Sequence, residues 1–144
     1  MLKNSDELNG MREAGKLAAE VLEMITDYVK PGISTGELDE ICFKYITDVQ
    51  KAIPANVGYR GFEKTLCTSI NQVICHGIPD TNRILKSGDI MNIDVTVIKD
   101  GWHGDTSKMF LIGKAQSHNE RLVRVTQECL YKGIEAARPG ARLG

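Results

Sequence analysis

No run of apolar residues in this 144-residue sequence approaches the ~20 that a membrane-spanning helix needs, which excludes a helical bilayer span. Excess charge of one sign is also missing: Lys and Arg total 18 against 19 Asp and Glu, a net of −1 with histidine neutral. So even a balance offers no electrostatic footprint for nucleic acid or an anionic membrane surface. Cys42, Cys67, Cys75 and Cys129 include no C-x-x-C pair, which argues against a zinc knuckle or a thioredoxin-type redox pair. In a reducing compartment they are expected to be free thiols, behaving as small buried hydrophobes. The opening stretch from Met1 to Asn9 is polar and mixed in charge, unlike a secretory signal, so the expected location is cytoplasmic. With no repeat, low-complexity segment or internal boundary, residues 1–144 are expected to form a single domain.

What is present is an ordinary globular composition, 42% apolar and 26% charged, able to bury a core of moderate size. Leu8, Met11, Leu17, Val21, Leu22 and Ile25 recur at helical intervals and predict a helix over 6–29, capped by Ser5 or Asp6 and stopped by Pro31-Gly32. Ser34 and Glu37 fit a capping box, opening a second helix whose apolar stripe is Leu38, Ile41, Cys42, Tyr45 and Ile46 and which fades near Gln50. From Ala52 to Pro79, glycines and prolines punctuate short apolar runs; Leu66–Ile70 reads as a strand and Val57–Lys64 as an irregular loop. Asp80–Gly88 is a polar connection, and Asn119–Ala137 is an amphipathic helix with Leu122, Val125, Leu130 and Ile134 on one side.

The clearest local signal is a hairpin. Asp100-Gly101 separates strand Ile90–Ile98 from strand Trp102–Ile112, and an Asp-Gly pair between β-rich runs is a strong two-residue turn signal. Each strand carries one aspartate, Asp94 and Asp105. A carboxylate in such a run is unfavourable unless it is exposed, paired or bound to a metal. If Lys99 pairs with Trp102, then Thr96 faces Asp105 and Asp94 faces Ser107. The two carboxylates then lie on one face as diagonal neighbours, roughly 7–8 Å apart at the backbone. That spacing suits chelation of divalent ions by oxygen ligands, while Met91, Ile93, Val95 and Val97 occupy the other face. A one-residue change of loop length would send one aspartate to the opposite side. Two ligands are too few for a catalytic ion, so the residues by themselves give a partial site.

Of the three histidines, His76 follows an apolar run in Ile74-Cys75-His76-Gly77-Ile78-Pro79, where the backbone must be irregular. His103 falls on the aspartate face near the hairpin turn, and His118 falls in a polar linker. Spacing alone does not single out His76.

The run N-I-D-V-T-V-I-K-D-G-W-H-G-D-T-S-K-M-F at 92–110 resembles the signature of type I methionine aminopeptidases. So do N-Q-V-I-C-H-G-I-P at 71–79, G-Y-R-G-F at 58–62, R-E-A-G-K-L-A-A-E-V-L near the start and K-P-G-I-S-T-G-E-L-D after it. The resemblance covers essentially the whole chain. It implies an α+β pita-bread fold, a curved antiparallel sheet with helices packed outside it. It also implies removal of the initiator methionine from nascent polypeptides at a site of two divalent ions, drawn from cobalt, manganese, iron, zinc or nickel. Asp94 would chelate one ion and Asp105 would bridge both. His76 would handle substrate and proton near the scissile nitrogen without being a ligand. Tyr59, Phe62 and Cys67 would line the methionine side-chain pocket, and the backbone at Asn71 and Val73 would hold a monovalent cation. The expected partners are N-terminal methionines of nascent chains near the ribosome, with no membrane and no direct nucleic acid, and the family is usually monomeric.

Two departures stand at the pocket: Asn56 where members often have cysteine, and Phe62 where many have tyrosine. The larger departure is length. The family's second half supplies a histidine and two glutamates as further ligands and a second catalytic histidine, none of which is matched here. The expectation is therefore a truncated form that binds metal weakly and is inactive or weakly active alone. The alternative is a non-catalytic chain that associates with itself or with a full-length enzyme through an exposed sheet edge.

Overall fold

A computed structural model describes residues 4–144; Met1 to Lys3, the beginning of the polar opening stretch, lie outside the described residues. Helix α1 spans Ser5–Ile25, and its N-cap is Asn4, whose side chain accepts from the Glu7 N–H. The cap thus falls one residue before the expected Ser5. The helix also ends short of the expected residue 29. Near its end the Thr26 hydroxyl bonds back to the Leu22 carbonyl at 2.7 Å, offering the backbone a local alternative to continued helix. Helix α2, Thr35–Lys44, opens with the Ser34–Glu37 capping box and runs into a π-helical turn over Tyr45–Val49.

Four antiparallel strands form the sheet: β1 (Ile53–Pro54), β2 (Leu66–Ile70), β3 (Ile90–Lys99) and β4 (Trp102–Leu111). Strand β3 is central, with β4 along one side and β2 and β1 sharing the other. The two-residue β1 is absent from the sequence reading because its proline argues against a strand; a proline is tolerated at a sheet margin.

One face of the sheet is the core. Ala14, Leu17, Ala18, Val21, Leu22 and Ile25 of α1 pack over it, where Met91, Ile93, Val95 and Val97 are fully buried. The helix comes so close that a Cβ on Gly104 of β4 would collide with the Ala14 carbonyl. Gly104→Ala is expected to cost about 1–3 kcal/mol through overpacking against main chain. Urea unfolding checks it, and an unchanged midpoint would mean that α1 slides freely.

Asp39 of α2 turns inward, and one of its carboxylate oxygens accepts from the Thr65 N–H at 2.8 Å and the Leu66 N–H at 3.0 Å, fixing the start of β2. Helix α3, Ser117–Ala136, carries the expected periodicity, yet none of its residues is buried; Leu122, Leu130 and Ile134 are each more than half exposed. Periodicity marks which side is apolar and leaves open whether anything covers it. Two sequence expectations are corrected. His118 stands in the first turn of α3 rather than in a linker, and Cys75 and Cys129 are exposed while only Cys42 and Cys67 are buried. Among the described residues no helix is long and apolar enough to cross a membrane.

Candidate functional site

Asp100 and Gly101 both take positive φ, 49° and 84°, as a type I′ turn requires. The register follows from that turn: Lys99 pairs with Trp102, Thr96 with Asp105 and Asp94 with Ser107. Asp94 and Asp105 are therefore diagonal neighbours on the face away from α1. On the other side of β3, Asp94 pairs with Cys67 of β2, so Ser107, Asp94 and Cys67 form one row across the sheet.

Partial burial raises the pKa of Asp94, and Asp105 raises it further through like charge and a shared hydrogen bond, while His76 pulls it down. His76 lines the same cavity as Cys67, the residue that pairs with Asp94 across β2 and β3. The placement has a backbone cause. The Thr68 N–H donates to the Gly77 carbonyl at 2.7 Å and the Gly77 N–H donates to Ser69 Oγ at 3.2 Å, holding the loop against β2. A Cβ on Gly77 would collide with the Thr68 carbonyl, so only glycine permits this approach. His76 itself is left-handed at φ 55°, a strained conformation of the kind that accumulates at functional sites.

Tyr59, Phe62, Cys67 and His76 line one cavity of about 420 Å³, large enough for an amino-acid side chain. Arg60 and Ile78 line it too; both fall inside the 58–62 and 71–79 motifs, where the resemblance assigned neither of them a role. Asn56 lies at its edge, where its side-chain NH₂ donates to the Thr65 carbonyl at 3.1 Å and braces the loop. Burial, aided by Asp94, pushes the Cys67 thiol up to about 11, which favours a neutral thiol in the cavity wall over a thiolate nucleophile. Asn71 and Val73 sit in the turn after β2 and do not line the cavity. The Asn71 side chain accepts from the Ile90 N–H at 3.0 Å and donates to Asp89 at 2.8 Å, which ties that turn to β3.

Two carboxylates set as diagonal neighbours on one face relieve their repulsion by taking a proton or a dication, so the pair fits divalent-ion chemistry. It fits as part of a ligand set: among the described residues no group of three or more His, Cys, Asp or Glu is placed to hold an ion. A raised carboxylate pKa has a definite sign in folding. The protonated form favours the fold below the ordinary value of 3.8, and that contribution is lost as pH rises through the raised value. In ion-free buffer at neutral pH, Asp94→Asn is expected to melt above the parent, with the difference vanishing in acid. A melting temperature at or below the parent's at neutral pH would remove the repulsion account.

The model of metallopeptidase family M24 matches residues 9–144. The methionine aminopeptidase of Salmonella typhimurium is 61% identical over 142 residues, which is 99% of this chain and 54% of that protein. The crystal structure of the Rickettsia prowazekii methionine aminopeptidase superposes with a TM-score of 0.93 at 53% identity, covering all of this chain and 58% of that one. The Thermotoga maritima methionine aminopeptidase gives 0.94 at 32% identity, covering all of this chain and 57% of that one. The chain thus spans about half the length of the relatives it matches. Its antiparallel sheet with flanking helices is the pita-bread fold that the motifs implied. The helix-backed sheet, the carboxylate pair on its open face and the family match together place this chain in metallopeptidase family M24.

Proposed function

We propose that this chain takes part in divalent-metal-dependent removal of N-terminal methionine from polypeptides. The observation that carries the reading is the register that sets Asp94, Asp105 and Cys67 on one face beside a cavity containing His76. Asp94 and Asp105 would hold the divalent ions, which when bound polarise a carbonyl and acidify water. His76, at the boundary between the carboxylates and the cavity, orients the peptide and hands a proton to the departing nitrogen. Phe62, Tyr59 and the neutral Cys67 give the flexible methionine side chain an apolar, polarisable wall. The backbone of Asn71 and Val73 is assigned the monovalent cation. Two carboxylates bind an ion weakly, so turnover needs further ligands from additional chain. Methionine release from a Met-Ala-Ser peptide with added Mn²⁺ tests the reading, assayed on this chain alone and on a longer chain supplying those ligands. Release that requires the ion and disappears in Asp94→Ala supports it; release without the ion, or surviving that substitution, rejects it.

A second reading is association without catalysis. It is favoured by α3, whose Leu122, Leu130, Tyr131 and Ile134 are all more than half exposed. Mass in solution decides it, since an associating chain does not run as a monomer.

A further inference from the structure

We propose that Ser69 is a positioning residue for the reaction: its hydroxyl fixes the peptide that follows His76 and so sets where the imidazole stands. This role rests on the proton-handling part given to His76 above. Ser69 lies on β2 two residues beyond Cys67, and the period of two puts both on the open face of the sheet. Its register partner on β3 is Asn92, two residues before Asp94, whose own partner is Cys67. Ser69 is 5% exposed, and a hydroxyl that deep needs a hydrogen-bond partner. The Gly77 N–H supplies one, donating to Ser69 Oγ at 3.2 Å.

The bond acts on His76 because of where its donor sits. The Gly77 N–H belongs to the same rigid peptide plane as the His76 carbonyl, so holding that N–H fixes the ψ of His76. The following plane is held as well, since the Gly77 carbonyl accepts from the Thr68 N–H at 2.7 Å. Adjacent residues of β2 thus grip Gly77 at both of its polar atoms, and its Cα comes so near the strand that a Cβ would meet the Thr68 carbonyl. His76 needs this support. It is exposed, so packing does little to hold it, and its φ of 55° is one that a non-glycine residue leaves unless its surroundings impose it. The Thr68 half of the grip is main chain and tolerates substitution. The Ser69 half depends on a hydroxyl at this position. Without it the 76–77 peptide is free to turn and His76 relaxes toward ordinary backbone, carrying the imidazole with it. A displacement of about 1 Å at a catalytic group can slow a reaction by about 10²-fold.

Two measurements test the role. In the 144-residue chain, Ser69→Ala is expected to speed hydrogen exchange of the Gly77 amide and to move the backbone carbon shifts of His76 away from left-handed values. In a longer chain that turns over, the same substitution is expected to lower kcat for Met-Ala-Ser by about ten- to hundredfold, with Mn²⁺ affinity unchanged. Ser69→Cys, which fills a similar space with a weak acceptor, is expected to follow alanine, and Ser69→Thr, which keeps the oxygen, to restore most of the rate. The decisive readout is the double substitution. In a His76→Ala background Ser69→Ala is expected to cost nothing further in kcat, because the two residues act through one imidazole. An unchanged kcat in both Ser69→Ala and Ser69→Cys, or a loss just as large in the His76→Ala background, overturns the positioning role. If His76→Ala itself leaves release intact, the reading of His76 fails and the role of Ser69 falls with it.

Discussion

Replacing His76 with alanine is expected to slow methionine release by about 10²–10⁴-fold in a chain length that turns over, with divalent-ion affinity unchanged. The separation of effects follows from position. His76 lines the cavity, whereas the carboxylates proposed to bind the ions are on β3 and β4. On the proposed roles, loss of His76 therefore falls on kcat, and loss of either aspartate falls on metal titration. The loop's shape needs a control, because His76 is left-handed at φ 55°. His76→Asn serves, since asparagine tolerates that conformation while its amide does not titrate. Both variants are expected to lose turnover alike. Near-parental turnover in the asparagine variant would show that the loop's geometry matters and the imidazole does not.

Asp39→Ala is expected to cost the fold about 2–6 kcal/mol, because it strands two buried N–H donors at about 1–3 kcal/mol each. Against a domain stability of roughly 5–15 kcal/mol that is severe. Asp39→Asn is expected to remain within about 1 kcal/mol of the parent. Both donors, Thr65 N–H and Leu66 N–H, reach a single oxygen of Asp39, and an amide oxygen can accept both. The substitution also removes a charge whose burial holds its pKa above the ordinary 3.8. Urea unfolding of the two variants checks the pair, and equal losses would defeat the hydrogen-bond account. The consequence reaches the site, because Cys67 is the next residue after Leu66.

Alternation and turn chemistry made the hairpin legible in the sequence. A two-residue Asp-Gly turn leaves one register, and a period of two then fixes which side chains share a face, so the sequence alone sets Asp94 and Asp105 on one face. Motif resemblance named the remaining candidates, and the family match places the whole stretch from residue 9 onward in one family. Local rules also gave the Ser34–Glu37 capping box, because its partners are three residues apart.

Tertiary structure alone decided the contacts made across long sequence separations. Asp39 reaching Thr65, Gly104 yielding to Ala14 and Gly77 lying against Thr68 have no local signature, since each depends on where two distant segments meet. The same holds for Arg60, an ordinary residue in a glycine-flanked loop until the fold brings that loop to Cys67 and His76. The apolar stripe of α3 is the converse case: its period was readable from the chain, but its exposure depends on what packs against it, which no single helix encodes.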